Sequence, residues 1–152
     1  MTEPHVSTPA HLRWSRFADL DVDTLYALLR LRSDVFVVEQ RCPYPELDGR
    51  DTEPQTEHLW AEVDREVVAV VRILRGPQAW HIGRVATAPG HRGRGYAAEL
   101  VRFAIERIGA QPIDIGAQAH LQGWYERFGF VRSGPDYVED GIPHLSMRRD
   151  PG

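Results

Sequence analysis

The sequence feature that most restricts the fold is a glycine-rich loop, RGRGYA at residues 92–97, between a β-like run and a helical pattern. The run Trp80–Ala86 precedes the loop, and after it apolar residues recur at helical spacing as far as Ile108. Gly109 then supplies a helix stop, and a short apolar run, Pro112–Ala117, follows. Two strands joined through a helix are expected to lie parallel. The segment therefore predicts a strand–helix–strand crossover.

The glycine-rich loop also has the composition of an anion-binding site. Backbone N–H groups in such a loop converge on one point, and the N-terminus of the following helix adds partial positive charge. Glycines allow close approach of the backbone, while His91, Arg92 and Arg94 can neutralise a bound anion. The sequence therefore predicts a pyrophosphate site. The alternative is a solvated loop with mobile arginines, because a glycine pattern alone is a weak signal.

The rest of the chain predicts a mixed α/β domain with a mostly antiparallel sheet. Alternating or β-branched residues predict further strands: Leu12–Arg16, His58–Val63, Val67–Leu74, Phe130–Val131 and Pro143–Arg148. Helical spacing predicts two more helices: Asp21–Gln40 and Leu121–Phe128. Tight turns are expected at 64–66 and 139–141. The stretch 41–55, rich in Pro, Asp, Glu and Gly, is predicted to be an acidic loop.

Length and composition restrict the class of protein. A chain of 152 residues suits one domain, which we assign to residues 12–152, after a polar N-terminal tail at 1–11. The formal net charge of -4 argues against nucleic acid as a partner, because phosphate binding needs a basic face. No apolar run approaches the roughly 20 residues needed to cross a bilayer, so no membrane partner is expected.

The cysteine and histidine content bears on the cellular compartment and on metal sites. Cys42 is the single cysteine, so no intramolecular disulfide can form and a reducing, cytoplasmic location is expected. A metal site of His58 with Asp48 or Asp51 is an alternative, but the sequence has no closely spaced ligand pattern, so no metal is expected. Cys42 as an acyl-carrying nucleophile is a further alternative, although a lone cysteine beside proline is more often a small packed residue.

Several motifs in register resemble those of the GNAT acetyltransferase family. Residues 92–97 match its pattern of Arg or Gln, two residues, Gly, one residue, and Gly or Ala. Gly83–Thr87 resembles the family's fourth strand, and Leu121–Phe130 resembles its second signature, a helix that ends in an aromatic residue, Gly and Phe. Four further motifs resemble the ElaA-like subgroup of this family: Val35–Gln40, Cys42–Tyr44, Asp48–Gly49 and Asp140–His144.

The resemblance implies a GNAT fold, an α/β (α+β) architecture with a mixed, mostly antiparallel central sheet, a parallel pair of splayed strands and flanking helices. It implies acetyl-CoA as co-substrate, with its pantetheine arm between the splayed strands and its pyrophosphate on the glycine-rich loop. The residues expected to bind it are Arg84, Val85, Ala86, Arg92, Gly93, Arg94, Gly95, Tyr96, Ala97, Gln118 and Tyr125. Gln118 stands where many members have Asn, which is a departure from the family pattern.

Tyr125 occupies the position of the family's general acid. Its phenol, with an ordinary pKa of about 10, is expected to protonate the departing thiolate, whose ordinary pKa is about 8.5. The alternative is a packed aromatic side chain beside Trp124 and Phe128, which is the usual role of such residues. A catalytic Tyr125 distinguishes the enzyme from two alternatives, a non-catalytic acyl-CoA-binding regulatory module and a nucleotide-phosphate-binding protein.

The sequence defines the acceptor side less closely. The expected acceptor is a small-molecule or protein amine that attacks the acetyl group directly in a ternary complex, and the protein is expected to be a monomer or homodimer. The candidate bases are Glu39, Glu57, His58 and His144. We assign Glu39 to catalysis, and we assign five residues to the substrate side: Glu39, Tyr44, Asp48, His58 and His144.

Acidic residues predominate in the segment from Glu39 to Glu57. The acids are Glu39, Glu46, Asp48, Asp51, Glu53 and Glu57, against Arg41 and Arg50. An acidic wall of the acceptor groove would attract a protonated amine and raise its local concentration. The alternative is a solvated loop whose charge only aids solubility.

Overall fold

A computed structural model describes residues 9–151 of the chain. Its strands are β1 (His11–Arg16), β2 (Glu57–Val63), β3 (Glu66–Arg75), β4 (Trp80–Thr87), β5 (Ile113–Gln118), β6 (Val131–Glu139) and β7 (Ile142–Arg149). Its helices are α1 (Val22–Arg32), α2 (Tyr96–Ile108) and α3 (Gln122–Glu126), and a π-helical segment, Ser33–Glu39, continues α1. Short 3-10 turns occur at Phe17–Asp19, Pro89–His91 and Ala119–Leu121.

All of the strands belong to one sheet with the order β1-β2-β3-β4-β5-β7-β6. Every neighbouring pair is antiparallel except β4 and β5, which are parallel and are connected through α2. The predicted crossover is therefore confirmed. The predicted hairpin between β2 and β3 is also confirmed, and its turn residues Asp64 and Arg65 have left-handed φ angles of 51° and 66°. The mixed α/β class and the mostly antiparallel sheet agree with the sequence analysis.

The helices α1 and α2 pack on opposite faces of the sheet. Because the side chains of a strand alternate between its two faces, neighbouring residues of β3 contribute to two different cores. Val70 belongs to the core that contains Leu28 of α1, whereas Val71 belongs to the core that contains Leu100 of α2. Both faces of the central strands are thus buried, and the positions of α1 and α2 relative to the sheet are fixed by apolar packing.

The predicted helix 21–40 is confirmed in place, but its last part is wound differently. The Asp21 carboxylate caps α1 by accepting a hydrogen bond from the Thr24 N–H at 2.7 Å. Beyond Arg32 the chain is π-helical, and the Gln40 N–H donates to the Val35 carbonyl five residues earlier. Apolar spacing in a sequence does not distinguish this winding from an α-helix here, because a segment of seven residues contains too few turns to define the period.

The C-terminal hairpin differs most from the prediction. The predicted strand Phe130–Val131 overlaps only the first residue of a longer strand, β6, which begins at Val131, and Phe130 before it is a core residue with 1% of its surface exposed. The pairing of β6 with β7 shifts register between Arg132 and Asp136, where the sequence reads Ser-Gly-Pro. Gly and Pro interrupt a strand pattern, and a local irregularity in the ladder accommodates them here.

The N-terminal boundary differs by one residue from the prediction. Residues 1–8 of the predicted tail lie outside the described residues. His11, the last residue of that predicted tail, already belongs to β1 and pairs with Glu62 of β2. Within residues 9–151, no helix is both long enough and apolar enough to cross a membrane.

Candidate active site

The parallel strands β4 and β5 separate soon after they meet. They pair only at Trp80 with Ile113 and at His81 with Asp114. Further along β4, the pairing with β3 leaves Val71 opposite two residues, Arg84 and Val85. This is a β-bulge, and an extra residue of this kind bends the strand that contains it. The two strands therefore splay apart, as the resemblance implied.

Arg84 has an unusual backbone conformation at the bulge. Its φ angle is 53°, in the left-handed region that non-glycine residues seldom adopt. Such a conformation persists only where the surrounding structure holds it. The Arg84 side chain is held by an ion pair with Glu46 at 3.0 Å and by the Tyr44 ring, whose centre lies 5.5 Å from the guanidinium carbon. Arg84 was predicted to bind the co-substrate, but its side chain contacts these two residues.

A cavity of about 360 Å³ lies where the strands have separated. Its wall includes six residues that the sequence analysis assigned to the site: Tyr44, Arg84, Val85, Gln118, Tyr125 and His144. The wall also includes residues that the sequence analysis did not assign to the site: Phe36, Cys42, Tyr137, Glu139, Asp140 and Ile142. Phe36, Cys42, Asp140 and Ile142 belong to three of the motifs quoted for the resemblance, and those motifs are the sequence signal that pointed to these residues.

Tyr125 is both a packed aromatic residue and a cavity residue. Its ring makes edge contacts with Trp124 and Phe130, at centroid distances of 4.9 Å and 6.1 Å. Only 7% of its surface is exposed, and this burial raises the pKa of the phenol to about 12. Within residues 9–151, no hydrogen bond involves its hydroxyl group. A protonated hydroxyl without a protein partner is thus available to a molecule in the cavity.

A second cavity, of about 310 Å³, lies at the glycine-rich loop. Of the predicted loop residues, Arg92, Gly93, Gly95, Tyr96 and Ala97 line it, together with Trp124 and Arg127. Gly93 and Gly95 have φ angles of 77° and 82°, so the loop needs glycine at both positions. The loop ends at the N-terminus of α2, and the partial positive charge of a helix N-terminus favours a bound anion. Arg94 lines neither cavity.

One buried polar atom at this second cavity supports an anion-binding role. His91 lines the cavity, and its Nδ1 atom is buried without a hydrogen-bond partner among the described residues. A buried nitrogen of this kind is costly unless a ligand or water satisfies it. The arrangement fits the pyrophosphate that the resemblance places on this loop.

Glu39 and Ala86 do not lie where the sequence analysis expected. The Glu39 carboxylate accepts a hydrogen bond from Arg92 at 2.7 Å, and it does not line the cavity that contains Tyr125. It therefore lies beside the glycine-rich loop rather than beside the predicted general acid. Ala86 is buried and belongs to the core under α1 instead of facing either cavity.

The acidic loop 41–55 folds back onto three arginines. Together they form a network of alternating charges in which Arg32, Arg72, Glu46 and Asp51 are buried and Arg84 and Asp48 are partly exposed. Arg32 lies 2.7 Å from both Glu46 and Asp51. Arg72 lies 2.8 Å from Asp48 and 3.1 Å from Asp51. The network has equal numbers of positive and negative groups, and it connects α1, β3 and the bulge of β4 to the loop.

The remaining acids of the segment 39–57 are also paired. Glu53 lies 3.0 Å from Arg50, and Glu57 lies 2.5 Å from Arg107. With Glu39 on Arg92, all six acids of the segment therefore have an arginine partner. This pairing argues against the predicted acidic wall, because each charge is offset by a neighbour. Asp48, predicted to contact the substrate, does not line the cavity.

His58, another predicted substrate residue, also lies in the network. It is 4% exposed, and its Nε2 atom lies 3.0 Å from the Asp51 carbonyl oxygen. A carbonyl can only accept a hydrogen bond, so Nε2 donates. Burial lowers the pKa of His58, which favours a neutral ring. His58 does not line the cavity, so of the predicted substrate residues only Tyr44 and His144 do.

Comparisons with known sequences agree with this geometry. A family model described as Acetyltransferase (GNAT) domain matches residues 32–151. A UPF0039 protein of Mycobacterium tuberculosis is 46% identical over 141 residues, which cover 90% of this chain and 89% of the relative. Protein ElaA of Escherichia coli is 41% identical over 140 residues, which cover 88% of this chain and 92% of ElaA.

Two solved structures have the same fold over nearly the whole chain. The crystal structure of Escherichia coli ElaA superposes with a TM-score of 0.88 at 38% identity, covering 93% of this chain and 100% of that one. The crystal structure of an acyl-CoA N-acyltransferase from Pseudomonas aeruginosa also gives a TM-score of 0.88, at 42% identity, covering 93% of this chain and 99% of that one. The splayed strands, the glycine-rich loop and α3 all lie within residues 32–151, which the family model matches.

Proposed function

Because the chain belongs to the GNAT acetyltransferase family, we propose that it transfers an acetyl group from acetyl-CoA to a primary amine. The observation that carries this proposal is the cavity between the splayed strands β4 and β5, with the Tyr125 ring in its wall. The loop cavity is its neighbour, since Trp124 lines one cavity and Tyr125 the other. A donor with a reactive acyl end and a phosphate end matches this pair of cavities.

The splayed strands and the loop supply what such a donor needs. A strand that has lost its neighbour presents unpaired N–H and C=O groups, and the amides of pantetheine can hydrogen-bond to them. Val85 of β4 and Gln118 of β5 line the cavity, and we assign both to the pantetheine arm. Gly93 and Gly95 bring backbone N–H groups toward the pyrophosphate, and Arg127 in the same cavity wall adds positive charge, since the charge of Arg92 is offset by Glu39. Gln118 can replace the usual Asn because it has the same amide group.

In the proposed reaction, both substrates are bound together and the neutral amine attacks the carbonyl carbon of the thioester. The new C–N bond forms first, backbone N–H groups stabilise the oxyanion, and the C–S bond then breaks. Tyr125 donates its phenol proton to the departing sulfur, which leaves as the free thiol of coenzyme A. The raised pKa of Tyr125, about 12, keeps it protonated until that moment.

The direct test of this function is release of free thiol from acetyl-CoA in the presence of a panel of amines. We expect at least one primary amine to accelerate thiol release above the rate of hydrolysis, and we expect its acetylated product in the mass spectrum. Cys42 is buried and adds little background to a thiol assay. If acetyl-CoA binds but no amine causes release, the protein is a non-catalytic acyl-CoA-binding module instead.

Donor binding gives a separate prediction. Acetyl-CoA should raise the melting temperature of the protein through mass action, because it binds only the folded state. ATP at the same concentration should raise it much less, because ATP lacks the pantetheine arm. Gly95→Glu should abolish the shift, since it places a negative charge and a side chain where the pyrophosphate binds. Differential scanning fluorimetry measures all three melting temperatures.

The matched control for this variant is Gly109→Glu. Gly109 ends α2, has a φ angle of 76° and has open space around its Cβ position, as Gly95 does. The control variant has the same charge change at the other end of the helix, and its backbone strain is larger, because Gly109 has a ψ angle of -146° where Gly95 has 9°. It should keep the acetyl-CoA shift. Equal shifts from ATP and acetyl-CoA would instead indicate general phosphate binding.

A further inference from the structure

We propose that His144 is the base that removes a proton from the acceptor amine, an inference that rests on the proposed acetyl transfer. His144 lies on β7 directly opposite Gln118 of β5, and it lines the same cavity as Tyr125. Because the amine must reach the acyl carbon within this cavity, a base in its wall can contact the amine and Tyr125 can contact the leaving sulfur. The two proton-transfer groups, His144 and Tyr125, then line the same cavity.

The other three candidate bases are held elsewhere. Glu39 is bound to Arg92 at 2.7 Å, and Glu57 is bound to Arg107 at 2.5 Å. His58 donates to the Asp51 carbonyl within the buried network. None of the three lines the cavity that contains Tyr125. The structure thus distinguishes among residues that spacing in the sequence left equivalent.

The tautomer of His144 is fixed by its own strand. Its Nδ1 atom lies 2.7 Å from the carbonyl oxygen of Ile142. Since a carbonyl oxygen can only accept, Nδ1 carries the hydrogen in this contact, and the neutral ring has its lone pair on Nε2. Nε2 is therefore the atom that can accept a proton from the amine. This is the arrangement expected of a general base whose second nitrogen is oriented by a hydrogen bond.

Two neighbours on β6 support the protonated form and the orientation of the ring. The Glu139 carboxylate lies 3.8 Å from Nε2, where it stabilises the imidazolium that forms when the proton arrives. The Tyr137 ring stacks on the imidazole with a centroid distance of 5.7 Å and an interplanar angle of 23°. Tyr137 is itself held against Gly116 of β5, where a Cβ atom would lie 2.6 Å from the Tyr137 hydroxyl oxygen. The imidazole plane is therefore fixed by packing.

The proton balance of this reaction is complete without another reagent. A protonated amine gives one proton to His144 Nε2 and becomes the neutral nucleophile. After the C–N bond forms, Tyr125 protonates the departing sulfur, and the proton that remains on the new amide nitrogen restores the Tyr125 phenol. His144 then releases its proton to water. The sum is an ammonium ion and acetyl-CoA converted into an amide, free coenzyme A and one proton.

The test compares acceptors of different basicity in His144→Gln, which keeps a polar side chain but cannot take up a proton near neutral pH. For an amine that is protonated at pH 7, we expect kcat/KM to fall by about 10²-fold or more, within the usual range for general-base catalysis. For a weakly basic amine that is already neutral at pH 7, we expect a much smaller loss. The acetyl-CoA melting shift should be unchanged in the variant.

A pH profile adds a second readout. For the basic amine, the pH dependence of kcat/KM should differ between the wild type and His144→Gln, whereas for the weakly basic amine the two profiles should agree. The other titratable or charged groups of the same cavity are Cys42, Tyr44, Arg84, Tyr125, Tyr137, Glu139 and Asp140. The matched control is His120→Gln, which replaces an exposed histidine just before Leu121. This variant should leave kcat/KM for both amines and its pH dependence unchanged.

Two outcomes would overturn the inference, and they can be told apart from failure of the proposed function. If wild-type protein releases thiol but His144→Gln keeps its rate with the basic amine, His144 is not the base. If the variant loses the same factor with both amines, the role of His144 is structural. If the wild type releases no thiol with any amine, the proposed function fails and the assignment of His144 fails with it.

Discussion

Replacing Tyr125 with Phe should lower kcat about 10²–10⁴-fold, the usual effect of removing a positioned proton donor, while leaving acetyl-CoA binding nearly intact. The phenylalanine ring keeps the edge contacts with Trp124 and Phe130. The lost hydroxyl has no hydrogen-bond partner among the described residues, so its removal leaves no unsatisfied protein group. The melting temperature should therefore change little. Steady-state thiol release and the acetyl-CoA melting shift measure the two halves of this prediction.

The matched control is Tyr26→Phe, which removes a hydroxyl from an exposed tyrosine of α1 that is 70% accessible. This variant should behave as the wild type in both assays. A Tyr125→Phe enzyme with wild-type turnover would show that Tyr125 only packs against its neighbours. A variant that loses turnover together with the acetyl-CoA shift would show that the hydroxyl helps to bind the donor.

The second large effect concerns stability. Replacing Asp51 with Asn should reduce the free energy of unfolding by about 3–5 kcal/mol, the usual cost of removing one partner from a buried ion pair. Asp51 accepts from Arg32 at 2.7 Å and from Arg72 at 3.1 Å, and both arginines are buried. Asparagine has nearly the same shape, so the change leaves excess positive charge in a site that excludes water. Urea denaturation followed by circular dichroism measures the difference.

The control for this variant is Glu53→Gln. Glu53 pairs with Arg50 at 3.0 Å, but both side chains are 42% exposed, so its replacement should cost no more than about 1 kcal/mol. Comparison of the two variants therefore distinguishes the stability contribution of a buried ion pair from that of an exposed one. If Asp51→Asn costs as little as Glu53→Gln, the network does not determine the stability of the fold.

The pH dependence of the same difference follows from the pKa of Asp51. Burial alone raises this pKa. The hydrogen bonds and positive charges of Arg32 and Arg72 together lower it by a larger amount, so the net shift is downward. A carboxyl whose pKa is lower in the folded state contributes fully above its unfolded pKa of about 3.9. That contribution is lost as the pH falls through the folded value. The stability difference between wild type and Asp51→Asn should therefore be constant near neutral pH and shrink below about pH 4.

This network also connects stability to the site. Arg84 has a left-handed backbone in the bulge that separates β4 from β5, and its side chain is held by Glu46 and Asp48 of the same network. A strained residue of this kind needs surrounding contacts to hold it. We therefore read the acidic loop as the element that fixes the bulge, rather than as a surface that attracts the acceptor.

Several parts of the protein could be predicted from short-range signals in the sequence. Backbone conformations that only a few residue types adopt define the glycine-rich loop, the start of the helix after it and the turn at Asp64. The positions of these features can therefore be predicted from the residue types. The crossover follows from a general rule of handedness and connection, and the position of Tyr125 follows from the resemblance. These features are local, and the structure contains all of them.

Which charged side chains form ion pairs could be established only from the tertiary structure. Arg32 and Asp51 are 19 positions apart, Arg84 and Glu46 are 38 apart, and Arg92 and Glu39 are 53 apart. Ion pairing depends on distance in space, which the order of residues does not give. For this reason the sequence did not show which arginines pair with the acids of segment 39–57, although all six acids are paired in the fold. The proposal of His144 as the base depends on the same kind of contact, because the pairing of β7 with β5 brings it opposite Gln118 in the cavity wall.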